Sequence, residues 1–398
     1  MNSESWKAWK IGEIGRIVTG KTPSTKIEKN FGNKYPFITP RDMLGQKRIY
    51  ETERYLSDEG MTAVKSCLLP KNAICVSCIG SDMGKVVMTT TNCVTNQQLN
   101  SVICDESMFQ PEFIYYALTN ISEELKNVGH HSTAIPILNK SDFSNFQIAA
   151  PDLPTQRCIA EILSALDDKI ELNRQTNATL EAIAQAIFKE WFVDFNYPGA
   201  TGEMVDSELG PIPKGWQVVN INSLSQVIYG APFASSLFTK DSIGRPLIRI
   251  RDLPNEQPSA FTIEVHPKGY LAKPGDILVG MDGEFRAYLW GGDDSWVNQR
   301  ICVFKPVIEI PSPFLYFSII EPLAKVEATE TATTVIHLGK NDIDLFRFAL
   351  PSIEVLRDFG NITEPIFEKI IINKKESRIL STTRDILLTR LMTGKVEI

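Results

Sequence analysis

The stretch from Pro151 to Phe192, PDLPTQRCIAEILSALDDKIELNRQTNATLEAIAQAIFKEWF, decides how the chain is built. Pro154 stands at its threshold and Thr155 can cap it, so the spacing predicts one long helix from 155 onward. Apolar residues recur by fours and threes. Ile159, Leu166, Asn173, Leu180 and Ile187 form one series, with Leu163, Ile170, Asn177, Ala184 and Trp191 as its companion. That is a heptad seam held for about four heptads, the pattern of a helix that packs on another helix. At the rise of an α-helix, 155–192 would form a rod of roughly 55–60 Å.

The partner is in the same chain. At an offset of 200 the main series returns as Phe359, Ile366, Asn373, Leu380 and Leu387, with the less apolar companion Thr363, Ile370, Ser377, Arg384 and Leu391. Pro365 lacks an amide proton, so this second helix is expected to start or kink near Thr363. Packed antiparallel about a pseudo-twofold axis, the two seams would bury each other. Asn173 and Asn373 would then meet at the centre, a polar layer that fixes register at some cost in stability.

The repetition extends outward from the helices. Trp6 to Gly20 matches Trp216 to Gly230 at an offset of 210, as Pro36 to Asp42 matches Pro246 to Asp252. Pro70 matches Pro274, Asn96-Gln97 matches Asn298-Gln299, and Phe113 to Tyr116 matches Phe314 to Phe317. From Leu138/Leu338 the offset settles at 200. An ordered series with a slowly drifting offset is a tandem duplication. The first part of each copy is a run of short Val-, Ile- and aromatic-rich segments punctuated by Gly, Pro and Asn, which read as strands and turns. The fold class is therefore α+β, two tandem repeats of a strand-rich domain followed by a long helix. The expected boundaries are 1–150 and 151–195 for the first repeat, a Pro/Gly-rich linker at 196–214, and 215–350 and 351–398 for the second.

Composition narrows the function. The 398 residues are 43% hydrophobic and 22% charged, ordinary globular values. No apolar run approaches the roughly 20 residues of a membrane span. The start MNSESWKAWKIG has no apolar h-region, so no secretory signal is expected. Seven scattered cysteines suit reduced thiols and a cytoplasmic protein. The net charge is −7, yet Lys7 to Arg48 holds 10 basic against 3 acidic side chains, a local field able to attract phosphate.

Catalytic motifs do not hold. Gly15 to Thr22 matches the P-loop pattern, but no buried apolar strand leads into it, Pro23 follows it, and the repeat partner ends in Gly230-Ala231-Pro232. Cys75-x-x-Cys78 lacks the second pair that a structural zinc requires. The four histidines form no nucleophilic constellation, and neither a catalytic nor a metal site is expected.

The run from Ala150 to Asn173 strongly resembles the conserved helix of type I restriction–modification specificity subunits. So do Gly20-Lys21-Thr22-Pro23, the Phe188 to Phe195 run FKEWFVDF, Gly210 to Trp216, and Leu391-Met392-Thr393-Gly394-Lys395. The chain departs from the family at Thr155-Gln156-Arg157, where Pro-Glu-Gln is usual, and at Ser352 to Leu356, where the motif is lost. The resemblance covers the whole chain. It implies two target-recognition domains, each reading half of a bipartite double-stranded DNA site, held apart by two antiparallel helices. It also implies two methylating subunits that use S-adenosylmethionine on adenine and two motor-nuclease subunits that use ATP and Mg, with no cofactor bound by this chain. Two other readings stay open, a P-loop nucleotide hydrolase and a coiled-coil adaptor that binds only protein.

The repeat sorts the candidate DNA contacts. Halves that read different sequences must differ where they touch bases, so the matched pairs Arg41/Arg251, Asp42/Asp252 and Asn96/Asn298 are expected to hold backbone or phosphate. Unmatched polar residues in equivalent loops are the candidates for bases: Ser81, Asp82 and Lys85 against Asp282, Glu284 and Arg286, and Gln98 against Arg300. Amides suit adenine and arginine suits guanine. Lys21, Thr22, His130, His131 and Arg249 complete the set.

Overall fold

A computed structural model describes residues 6–129, 137–239, 242–329 and 336–394. The chain forms two compact units, one of residues 1–171 with 379–398, the other of 172–378. Each unit holds one strand-rich domain and a stretch of each long helix.

In the first unit Lys7–Lys10 pairs with Gln147–Ala150, which closes the domain on itself. Its main sheet runs in the order Gly15–Thr19, Leu99–Cys104, Ile74–Ser77, Val86–Thr89 and Arg48–Ile49. A second sheet orders Phe31–Gly32, Tyr55–Leu56, Tyr35–Ile38 and Val94–Thr95. The period of two along Ile74–Ser77 explains the layering. Ile74 and Val76 enter one core with Phe113 and Tyr116 of the helix Pro111–Asn120, while Cys75 faces the other core with Phe37 and Val94 of the second sheet.

The second unit repeats this plan, with one strand fewer in the main sheet and one more in the second sheet. Gln217–Asn220 pairs with Arg347–Leu350, and a sheet orders Ser225–Tyr229, Ile301–Pro306, Ile277–Gly280 and Ala287–Leu289. The second sheet contains Phe238–Thr239, Ala260–Thr262, Arg245–Ile248, Ser295–Val297 and Leu271–Ala272. The duplication read from the sequence is thus a duplication of topology.

The first long helix is Leu153–Phe188, followed by a π-helical turn at Lys189–Val193. Its cap differs from the one expected. Asp152, not Thr155, caps it, its Oδ1 accepting from the Thr155 amide at 3.2 Å. Pro154 therefore lies inside the first turn, where a missing amide proton costs nothing. The buried Gln156 ties this start to the domain: its Nε2 donates to the carbonyl oxygens of Pro151 and Met108, and its Oε1 accepts from the Gln110 amide. Trp191 and Phe192 of the FKEWFVDF run are buried, with Phe192 4.9 Å from both Phe314 and Phe359 between ring centroids. That motif is an aromatic anchor for the helix end.

The second long helix, Ile353–Met392, starts ten residues before the position expected from Pro365. Pro365 is exposed, as is Asn361, whose carbonyl loses its partner and can turn to water. Thr363 is buried, and its Oγ1 is satisfied by donating to the Phe359 carbonyl at 2.8 Å.

The linker at 196–214 is likewise more ordered than its Pro/Gly density implies. Met204–Ser207 and Gly210–Pro213 form a hairpin, with Gly210 at φ +90° and Ile212 buried. A two-stranded ribbon consists only of edges, where proline is tolerated.

Within each unit the helices run antiparallel. In the second, Asn173 Nδ2 donates to Glu376 Oε2 at 2.8 Å and lies 3.3 Å from Ser377 Oγ and 3.4 Å from the Asn373 carbonyl. Asn373 Nδ2 donates to Asn177 Oδ1 at 2.8 Å. Both Asn173 and Asn373 are buried, so the expected polar layer exists and is a network rather than a pair. In the first unit Ile159 and Leu163 share a core with Leu388, Leu391 and Met392. There the buried Asp167 accepts from Arg384 Nη1 at 2.7 Å and from Tyr116 Oη at 2.6 Å. The repeat partners of Tyr116, Asp167 and Arg384 are Phe317, Phe367 and Ala184, all buried, with the two phenyl rings 5.8 Å apart. One copy packs its domain on the helices through a buried ion pair, the other through aromatic rings.

Two outcomes follow for urea-induced unfolding. Arg384→Ala leaves the buried Asp167 with Tyr116 Oη but without its counter-ion and is expected to cost about 2–4 kcal/mol, whereas Tyr116→Phe/Asp167→Phe/Arg384→Ala, which installs the composition of the other copy, recovers most of it. Asn373→Leu takes the donor from Asn177 Oδ1 and is expected to cost roughly 1–3 kcal/mol, while adding Asn177→Leu restores stability and loosens helix register.

Candidate nucleic-acid interface

Strand register brings most of the candidate residues to one end of each main sheet. In the first unit Thr19 pairs with Asn100, Ser77 with Leu99 and Val76 with Val86. The loops that leave or enter there carry Lys21 and Thr22, Gln97 and Gln98, and Ser81, Asp82 and Lys85. The second sheet ends beside them, because the Asn96 amide donates to the Ile38 carbonyl at 3.0 Å and Pro40–Asp42 follows at once. In the second unit the pairs Tyr229–Cys302, Gly280–Ile301 and Val279–Ala287 gather the equivalent loops, with Asp282, Glu284, Arg286 and Arg300. The Asn298 amide donates to the Ile248 carbonyl at 3.2 Å, so Ile250–Asp252, with Arg251, follows in the same way. His130 and His131 lie outside the described residues.

Of the matched residues, the two aspartates hold local backbone. Asp42 is buried; its Oδ2 accepts from the Thr39 amide at 2.7 Å and its Oδ1 from the Glu53 amide at 2.8 Å. Asp252 accepts from the Arg249 amide at 2.9 Å and from Arg249 Nε at 3.3 Å. Arg249 also donates to Ser259 Oγ, so its guanidinium is committed to the turn. Each aspartate holds a tight turn that leaves Arg41 or Arg251 exposed at its tip.

The Gly-Lys-Thr run is no phosphate cradle of the P-loop type. Gly15–Thr19 is a strand, and the next helical turn waits until Glu28–Asn30. The repeated glycine has another cause. A Cβ on Gly20 would stand 2.1 Å from the Asn96 carbonyl oxygen, and one on Gly230 would stand 2.0 Å from that of Asn298. Glycine is needed at both places because two loop backbones touch. Lys21 beyond it is exposed, its amide donating to the Thr95 carbonyl at 2.9 Å, and Thr22 Oγ1 donates to Gln97 Oε1 at 2.7 Å.

The basic run from Lys7 to Arg48 divides between surface and core. Lys47 is buried, donating to Ser164 Oγ at 2.7 Å, and Arg48 pairs with Glu112 at 2.6 Å. Arg16, Lys21, Lys26, Lys29 and Arg41 are exposed and form no ion pair among the described residues. Cys75 and Cys78 are buried thiols, pushed up to about 12 and about 11 by burial, with Ser101 Oγ donating to Cys75 Sγ. Among the described residues no cluster has the makings of a metal site.

The candidate base readers are unevenly held. Lys85 pairs with Asp82 at 2.7 Å, and Ser81 is exposed. Gln98 Oε1 accepts from Asn96 Nδ2 at 2.8 Å. Arg286 is tied to Glu327 at 3.0 Å, with Glu284 at 3.8 Å. Asp282 faces both Arg300 Nε, at 3.5 Å, and His337 Nδ1, at 2.8 Å. Sequence reading missed His337. The signal was there, since at an offset of 200 it stands opposite Ile137, an unmatched position beside the matched Leu138/Leu338.

Two copies of one domain, each presenting the same loop cluster and each packed on both long helices, define a tandem-repeat recognition protein. The sequence profile described as the type I restriction modification DNA specificity domain matches residues 3–182 and 213–385. The chain belongs to that family: it is a type I restriction–modification specificity subunit, the non-catalytic DNA-reading member of a multisubunit complex. It is 31% identical to the type I restriction enzyme MjaIX specificity subunit of Methanocaldococcus jannaschii, over 99% of this chain and 94% of that one. It is 26% identical to the HindI specificity subunit of Haemophilus influenzae, over 98% and 99%. The S subunit structure from M. genitalium shares the fold, with a TM-score of 0.56 at 17% identity over 97% of this chain and 96% of that one. Among the described residues no helix is long and apolar enough to cross a membrane.

Lys21→Ala is expected to weaken DNA binding for all sequences alike and to reduce the slope of log affinity against log salt by about one. Binding titrations at several salt concentrations measure it. An unchanged slope would remove Lys21 from the phosphate contacts.

Proposed function

We propose that each loop cluster reads one half of a bipartite DNA site. Residues 1–150 would read one half-site and residues 215–350 the other, with 151–195 and 351–398 as the shared helices. The observation that carries this reading is the contrast within the cluster. Residues that shape the loops recur in both copies (Gly20/Gly230, Asp42/Asp252, Asn96/Asn298), while the polar side chains at their tips differ. Lys21, Arg41 and Arg251 serve as sequence-neutral phosphate contacts. Ser81, Asp82, Lys85 and Gln98 in one copy, and Glu284, Arg286 and Arg300 in the other, are the base-reading set, with Thr22, Arg249 and Asp282 shaping the loops beside them.

The partners follow from the family. Two methylating subunits would bring S-adenosylmethionine to one adenine in each half-site, and two motor-nuclease subunits would use ATP and Mg. This chain would supply the address. Similarity to specificity subunits along nearly the whole length of their chains supports that role, and the strand at Gly15–Thr19 speaks against nucleotide hydrolysis.

Exchange of residues 1–150 for the equivalent domain of a relative, followed by expression with the methylating subunit and mapping of methylated adenines, tests the division of labour. One half-site is expected to change. The other half-site and the number of base pairs between them are expected to persist, because separated base contacts contribute additively and both long helices are untouched. A change in both half-sites, or a single continuous motif, would refute it.

A further inference from the structure

We propose that Arg300, aimed by Asp282 and His337, reads a guanine in the half-site recognised by residues 215–350; this rests on the half-site assignment above. Arg300 opens the strand-entry loop after Asn298-Gln299, at the sheet end where the other loops converge. About half of its side chain is exposed. Its Nε faces Asp282 Oδ2 at 3.5 Å, so the carboxylate sits along one side of the guanidinium. Asp282 is in turn pinned from behind by His337, whose Nδ1 is 2.8 Å from Oδ1.

With Nδ1–H donating to the carboxylate, His337 keeps Asp282 in place. The 3.3 Å approach of Arg300 Nη1 to the same ring consumes none of the arginine protons. The outer edge of the guanidinium, with protons on Nη1 and Nη2, is left unsatisfied and pre-oriented. Two parallel N–H donors in a fixed fork match O6 and N7 of guanine in the major groove and no other base edge.

The first copy lacks the device. The backbone places Gln98 where the second copy has Arg300, since the Cys78 amide donates to the Gln98 carbonyl and the Met281 amide to the Arg300 carbonyl. The bridges Ile79–Ile137 and Asp282–His337 mark the flanking positions as equivalent. Two isoleucines thus stand where the second copy holds the carboxylate and the imidazole. Asp282 and His337 are positioning residues found only in the copy that has the arginine.

The test uses the full-length chain with its methylating subunits. The second half-site is first identified as the one that survives exchange of residues 1–150. Duplexes are then made in which each of its guanines in turn is replaced by 7-deazaguanine, which lacks the N7 acceptor. One such replacement is expected to weaken wild-type binding about 10- to 100-fold, and Arg300→Gln is expected to be indifferent to it. Arg300→Lys keeps the charge but not the fork and is expected to lose the same preference. Asp282→Asn is expected to relax the preference at that base pair in the methylation map while the first half-site stays as sharp as before, which separates positioning from a general loss of fold. A second half-site without guanine, or wild-type binding insensitive to every replacement, would overturn the proposal and leave the half-site assignment standing. So would Arg300→Lys weakening all sequences equally. A change in the first half-site caused by Arg300→Gln would overturn the assignment itself, and the guanine contact with it.

Discussion

Two long helices, each with an apolar seam too broad to leave in water and too narrow to build a core alone, have to find each other. Everything else in the chain is arranged around that pairing. Each compact unit takes a stretch of both helices, so neither strand-rich domain is complete with its own helix only. The first domain needs Leu388, Leu391 and Met392 from the far end of the chain to finish its core. The second needs Ala184, Trp191 and Phe192 from the repeat before it. The polar residues within the seam show what hydrophobicity cannot do. Apolar layers tolerate a shift of one heptad, but Asn173, Asn177 and Asn373 satisfy one another in one register only, and Asp167 finds Arg384 only there.

Duplication solved a second problem, that of presenting two different reading surfaces on one kind of frame. The parts that recur are those in which backbone meets backbone or a buried carboxylate holds a turn. Gly20 and Gly230 are glycine because a carbonyl lies where a Cβ would be. Asp42 accepts two main-chain amide protons and Asp252 one, and each bond holds its turn. Side chains at the loop tips carry no such burden. They are free to differ, and the two copies have moved apart there. Copy-specific packing has also accumulated inside, where Tyr116, Asp167 and Arg384 do in one unit what Phe317, Phe367 and Ala184 do in the other.

An acidic chain that recognises DNA is less paradoxical once its charges are located. Lys21 and Arg41 stay exposed at the loop end of the first domain, and others of the same run are consumed in packing, as Lys47 and Arg48 are. Net charge sets long-range behaviour, while a phosphate at the surface responds to the field within about 8 Å at physiological ionic strength.

The sequence by itself determined the large-scale plan. Heptad spacing and internal repetition are periodic signals, and a period survives averaging over local irregularity, so the two helices, the tandem domains and the meeting of Asn173 with Asn373 were legible before any coordinates. Features that depend on one residue meeting another distant in sequence were not. The spacing named Thr155 as the cap, but Asp152 has the geometry to serve, and Gln156 and the domain beneath it hold the turn in place. Pro365 argued for a start or kink near Thr363; the helix does not start there, because the lost hydrogen bond faces solvent and tertiary packing carries the helix back to Ile353. Prolines at 211 and 213 read as linker because propensity does not see that a two-stranded ribbon has free edges on both sides. The gathering of Asp282, Arg300 and His337 spans 55 residues and three loops. Only the register of the sheet, fixed by which apolar side chains must point into the core, brings those three side chains together.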